Sequence, residues 1–267
     1  VSIKVDREER PDLDHIYMTV CQMLTGSGGW PLTILMTPDK KPFFAGTYVP
    51  MTSRFGRLGM VELIPRISEF WMNRREEVVQ SSEKIIGALK STDAFAPGPP
   101  LDEALLRKAF QEMSNRYDPE KGGFSAAPKF PTPHNLLFML RFWMRTGEQA
   151  ALQMVEKTLL EMRRGGIYDH IGYGFHRYAT DKEWLVPHFE KMLYDNALLT
   201  VAYLEAYQLT GRLLYRTVAT GTLDYVLRDL HDPASGFCSS EDADSEGGEG
   251  KFDVWTPKEV ISVLGMQ

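Results

Sequence analysis

The chain is poor in cysteine, lacks long hydrophobic runs and carries no large excess of charge of either sign. Its two cysteines, Cys21 and Cys238, lie far apart and form no Cys-x-x-Cys pair. That speaks against a disulfide framework and excludes a structural zinc site built from cysteines. Each reads instead as a small buried or half-buried side chain. No apolar stretch reaches the roughly 20 residues of a membrane-spanning helix. The net charge is −6 and the basic residues are scattered, which speaks against nucleic acid or an anionic membrane as a partner. The chain opens at Val1 with neither a methionine nor a signal-like segment. Val1 to Val5 alternates as a strand in mid-fold, so an N-terminal truncation is expected, with the cytoplasm as the default location.

What is present fits a soluble globular protein. There are 267 residues, 43% hydrophobic and 25% charged, enough for one large or two ordinary domains. Residues 1–50 read as strand, helix, strand and hairpin. Pro11 to Leu24 places Leu13, Ile16, Tyr17, Val20 and Leu24 on one face. Gly26 to Gly29 ends that helix, and Leu32 to Met36 and Phe43 to Tyr48 read as strands around a Pro-Asp-Lys-Lys-Pro turn. A proline directly before a strand and such a turn resemble the second half of a thioredoxin fold. That resemblance makes Pro31 a structural cis-proline candidate and puts the redox Cys-x-x-Cys upstream of Val1. Leu58 to Leu89 is amphipathic, with a helix expected to begin near Pro65. Residues 91–100, rich in proline, read as a linker between a partial thioredoxin-like domain (1–90) and a helical domain (101–267).

From Leu101 the pattern is helices joined by glycine loops. Helices are expected around 105–113, from Pro133 with Thr132 as N-cap, from Ala150 to Arg163, from Phe189 to Leu209, from Leu213 to Leu230, and from Pro257 behind a Thr256/Glu259 capping box. The last is cut short at Gln267, so a truncation is expected there too. The loops at 117–125, 165–168 and 231–239 share a glycine-plus-apolar chemistry, which implies three helical hairpins. A closed (α/α)6 toroid uses six, so the chain would hold about half of one; an open solenoid is the alternative. The fold class expected is α+β followed by all-α.

Chemistry concentrates in Gly165 to Leu199, which holds three of the six histidines. On a helix starting near His188, His188 and Asp195 would share a face, and a histidine beside a carboxylate suits acid–base work. His188 as a helix cap, with Asp195 paired to a basic residue, is the competing reading. Asp169, His170, His176 and Arg177 sit in the glycine-rich loop. Tyr168, Tyr173, Phe175, Tyr178 and Trp184 could stack on a sugar ring or simply pack the loop. The histidines lack a tight metal-ligand spacing, so no metal is expected. Lys129 and His134 could point into a pocket or brace the second helix. Asp242 to Asp253 loosely matches a calcium loop but lacks the final glutamate and an entering helix. Glu241 and Asp242, just after a Gly-Phe loop, fit better as pocket carboxylates.

Several stretches point to one family: Val5-Asp6-Arg7-Glu8-Glu9-Arg10-Pro11-Asp12, Gly28-Gly29-Trp30-Pro31-Leu32, Ala127-Pro128-Lys129-Phe130-Pro131, Gly174-Phe175-His176-Arg177-Tyr178, Val186-Pro187-His188-Phe189-Glu190-Lys191 and Ser240-Glu241-Asp242-Ala243-Asp244-Ser245. Over nearly its full length the chain resembles the DUF255-type thioredoxin-domain proteins related to spermatogenesis-associated protein 20. The resemblance implies an N-terminal thioredoxin-like domain and a six-hairpin barrel similar to those of N-acylglucosamine 2-epimerases and six-hairpin glycosidases. A carbohydrate-related function is therefore expected, with thiol–disulfide exchange or redox-linked binding as the alternative. Candidate catalytic residues are His176, His188, Asp195, Glu241 and Asp242. Candidate substrate contacts are Tyr168, Asp169, His170, Arg177, Trp184, Glu190, Tyr194 and Lys129. The expected partner is a small molecule, with no cofactor.

Overall fold

The computed structural model describes residues 1–54, 56–92, 98 and 102–265. The chain divides into two compact units, Val1–Pro99 and Pro100–Gln267. Most of the expected linker at 91–100 lies outside the described residues.

In the first unit, α1 (Pro11–Thr25) starts with proline at N1, where a missing N–H costs nothing. The Trp30–Pro31 peptide is cis. β1 (Thr33–Met36) and β2 (Pro42–Gly46) pair antiparallel, Thr33 opposite Gly46 and Leu35 opposite Phe44. Two helices follow, α2 (Met60–Asn73) and α3 (Arg75–Thr92). Helices α1 and α3 both pack on β2. Val20, Cys21, Ala45 and Ile85 form the core there, with Leu32, Ile34 and Leu89 against it. Two expectations need correction. Val1 to Val5 is exposed and forms no strand, because alternation without a neighbouring edge does not hold one. The helix also begins at Met60, not near Pro65; Pro65 lies inside α2, where its missing N–H removes one helical bond.

The second unit is mainly helical. It comprises α4 (Glu103–Arg116), α5 (Pro133–Thr146), α6 (Gln149–Arg164), α7 (Leu193–Thr210), α8 (Leu213–Tyr225) and α9 (Pro257–Leu264). Helix α8 runs on into a π-helical turn at Val226–Leu230. Helix α5 packs against α4, α6 and α7, and α7 against α8. Their apolar stripes meet in one core that includes Leu136, Leu140, Leu159, Met162, Leu199, Tyr203 and Tyr215. Tyr203 donates its hydroxyl to Leu159 O at 2.7 Å, tying α7 to α6. The capping box of α9 is formed by Thr256 and Glu259. Thr132, expected as a side-chain cap, is not one: it adopts φ +43° and its Oγ1 is buried without a hydrogen bond.

The main departure is at α7. It begins at Leu193, not near Phe189, because the preceding residues are drawn into sheet pairs. Of these, β3 (Tyr178–Ala179) pairs with β4 (Pro187–His188). Next, β5 (Lys191–Met192) pairs with a strand from the later loop. That loop adds β6 (His231–Asp232) and β7 (Gly236–Phe237), then β8 (Ser240–Glu241), the partner of β5. It closes with the hairpin β9 (Asp244–Ser245) and β10 (Gly248–Glu249). Within the twelve residues read as a loose calcium loop, Asp244 to Glu249 thus form a β-hairpin whose turn, Glu246-Gly247, has both φ values positive.

Candidate functional site

The loop from 165 to 192 is built on a buried tryptophan. Trp184 is fully buried and gives its indole N–H to Lys121 O at 2.9 Å. Gly165 lets the backbone close over it: a Cβ there would lie 2.2 Å from Trp184 O. Lys129, also fully buried, lies over the Trp184 ring and donates to Asp118 at 2.7 Å and to Lys182 O at 3.1 Å. Lys129 and Trp184 are therefore braces without a face to offer a ligand, which corrects both as substrate contacts. Tyr168 is buried against Phe175 and is corrected in the same way.

Outside this brace, polar groups from β4, from the residues just before β3 and β5, and from α7 gather. Arg177 donates to Glu190 at 2.6 Å, and Glu190 Oε2 lies 3.9 Å from His188 Nε2. His188 Nδ1 meets Glu249 Oε1 at 2.6 Å, and the ring stacks on Tyr178 at 4.8 Å. Arg177, His188 and Glu190 are each half-buried, so their polar atoms reach solvent from a protected surface. Asp195, in the first turn of α7, is 9% exposed and has no side-chain hydrogen bond among the described residues. Burial pushes its carboxyl up to about 7; the Arg177 charge pulls it down and Glu190 pushes it further up. The shared helical face expected for His188 and Asp195 does not form, because His188 lies in β4. Tyr194 is exposed beside Asp195 at the start of α7.

A second cluster lies behind the first. Lys191, almost wholly buried, donates to Asp169 at 2.8 Å and to Tyr173 O at 3.1 Å, and sits over the Tyr225 ring. Burial alone would raise Asp169, but the Lys191 bond and charge, together with the backbone N–H groups of Gly172 and Ile171, outweigh it and hold the carboxylate below its ordinary range. Tyr225 donates to Glu241 at 2.9 Å, and burial followed by the Glu241 charge pushes its phenol well up. His176 is buried and gives Nδ1–H to Phe189 O at 3.0 Å. Burial, then Lys191, pushes it down to about 4, so it is neutral near pH 7.

The expected residues thus separate. Arg177, His188 and Glu190 lie together, and Asp195 feels the charges of Arg177 and Glu190. His176 and Asp169 belong to the buried support. His170 turns away to Arg163 at 2.8 Å and to Gly165 O at 3.1 Å. Glu241 is engaged by Tyr225, and Asp242 accepts from Asp244 N at 2.9 Å as a turn cap. The reading of the sequence missed Lys191, Tyr225 and Glu249. Lys191 stood within a quoted motif, next to Glu190; nothing local to Glu249 signals its partner 61 residues away. A cavity of about 690 Å³ in this unit lies between α4 and α5, lined by Leu106, Leu137, Phe138 and Phe142. Among the described residues, no helix is long and apolar enough to cross a membrane.

Residues 1–90 match the family described as Thioredox_DsbH, a protein of unknown function, DUF255. Spermatogenesis-associated protein 20 of Homo sapiens is 45% identical over 99% of this chain and 35% of its own length. An uncharacterized protein of Caenorhabditis elegans is 37% identical over 99% of this chain and 38% of its own. The chain spans about a third of the length of these curated relatives. A solved cellobiose 2-epimerase from Bacillus thermoamylovorans is 14% identical with a TM-score of 0.45, over 57% of this chain and 46% of the epimerase. By the match of its first 90 residues and its similarity along almost its whole length, the chain belongs to the DUF255 family of proteins related to spermatogenesis-associated protein 20.

Proposed function

We propose that the surface formed by Arg177, His188, Glu190 and Asp195 binds a small polyhydroxylated compound, a sugar or a close analogue, and transfers a proton on it. Asp195 carries this reading. A buried carboxyl without a hydrogen bond, raised to about 7, is half protonated near neutral pH and can give or take a proton there. Beside it, Arg177 and Glu190 form an ion pair, and His188 presents a ring nitrogen able to donate or accept. Vicinal hydroxyl groups, each both donor and acceptor, match such a pattern. Proton transfer at carbon, as in epimerisation or isomerisation, suits the site better than glycoside hydrolysis. Hydrolysis needs two available carboxylates across the bond, and Glu241 and Asp242 are already engaged. Closure of the helical unit within a six-hairpin toroid belongs to the same proposal.

A sugar panel titrated into the full-length protein tests this, repeated with Asp195→Asn and His188→Ala. At least one sugar should bind and both variants should weaken it tenfold or more. A panel without binders, or variants that bind as wild type does, would overturn the site. A second reading, thiol–disulfide exchange by the first unit, draws support from the family match of residues 1–90. Reductase activity of the full-length protein that survives Asp195→Asn would favour it; absence of reductase activity would remove it.

A further inference from the structure

We infer that Glu249, on the β9–β10 hairpin, is the positioning residue that fixes the tautomer of His188 and leaves its Nε2 as the proton acceptor of the site. This rests on the reading that His188 faces a ligand. Three observations and one chemical rule support it. Nδ1 and Glu249 Oε1 are 2.6 Å apart, a charge-assisted length. A carboxylate only accepts, so Nδ1 must be the donor, and in the neutral ring the lone pair then falls on Nε2. Nε2 has no hydrogen-bond partner among the described residues: Glu190 Oε2, at 3.9 Å, is beyond reach and is already held by Arg177 at 2.6 Å. Tyr178 stacks on the ring at an interplanar angle of 17°, which opposes the flip that would exchange the two nitrogens.

The hairpin is built to deliver Glu249. Gly248 and Glu249 pair with Ser245 and Asp244, and the next residue, Gly250, rests on the Phe189 ring beside His188. Gly250 N also bonds to Ala243 O at 2.9 Å, which closes the base of the hairpin. The carboxylate partner of His188 therefore comes from the acidic loop, 61 residues downstream, and not from Asp195. Asp195 is left without that duty, as a separate acid–base group.

The contact itself demands a proton on Nδ1, so the protonated nitrogen reports the pairing directly. Nitrogen NMR of histidine-labelled full chain reads it, with the His188 signals assigned from a His188→Gln variant. Wild type should show His188 protonated at Nδ1 near neutral pH. Glu249→Gln, whose amide oxygen still accepts, should keep that form; Glu249→Ala should exchange the two nitrogen signals. Far-ultraviolet circular dichroism of each variant checks that it is folded, and Glu249→Gln supplies the comparison should Glu249→Ala unfold. His188 protonated at Nε2 in wild type, or the same tautomer in wild type and a folded Glu249→Ala, would overturn the inference. The readout uses no ligand, so a sugar panel without binders would sink the proposed function and leave this result standing. An unchanged tautomer would sink the pairing even where sugars bind.

Discussion

Burial acts on Asp195 and His176 in opposite senses, and the consequence is measurable. Asp195 takes up its proton at about 7 in the folded chain and near 3.8 when unfolded. Between those values the native state holds more protons, so the stability Asp195 contributes is complete below about pH 4 and is lost as pH rises to 7. His176 takes up its proton at about 4 when folded and near 6.5 when unfolded. There the unfolded state holds more protons, so its contribution is complete above about pH 6.5 and is lost as pH falls to 4. The two slopes oppose each other between about pH 4 and 6.5. Urea unfolding across that window should find wild type nearly flat, Asp195→Asn gaining stability as pH rises, and His176→Gln losing it. Each slope approaches about 1.4 kcal/mol per pH unit at most. Asp195→Asn with the pH profile of wild type would mean that the carboxyl is not raised.

At the scale of elements, the loop 165–192 and the later acidic loop are held together by β5–β8, by Lys191 and by Gly250 on Phe189. Lys191→Met leaves Asp169 charged and half-buried without its partner, which should cost about 3–5 kcal/mol in denaturant unfolding. Adding Asp169→Asn should return a large part of that loss, giving a double-mutant coupling of at least about 1 kcal/mol. Additive losses would mean that the pair does not act as a unit. Gly250 has φ +65°, and a Cβ there would stand 2.3 Å from the Phe189 ring. Gly250→Ala should therefore destabilise by about 1–3 kcal/mol and make the acidic loop more susceptible to protease. Unchanged stability and cleavage would show that this contact does not hold the loop. These elements also mark how far local pattern reached. Helices with an apolar stripe and a clear stop, such as α5 and α6, were legible within a residue or two, as was the β1–β2 hairpin. The capping box of α9 was legible from two residues. The start of α7 was not, because Pro187 to Met192 is set by pairing with residues 178–179 and 240–241, and no local periodicity reports such distant partners. Arg177, His188, Glu190 and Asp195 stood out through residue type. Their grouping depends on that same pairing, and so does the partner of His188.

The whole molecule is an α+β unit followed by a helical one, each with its own buried core. Every residue of the proposed site lies in the second unit, as do its supports Lys191, Tyr225 and Glu249. If that unit is sufficient for ligand binding, residues 102–265 expressed alone should fold with a helical circular dichroism spectrum and keep the ligand affinity of the whole chain. The most direct test of the account is a calorimetric titration of the tightest sugar from the panel into three proteins: the whole chain, residues 102–265 alone, and the whole chain with Asp195→Asn. The account predicts the same Kd for the first two and a Kd at least tenfold weaker for the third. No heat of binding to the whole chain, or equal affinity in the Asp195→Asn variant, would contradict it.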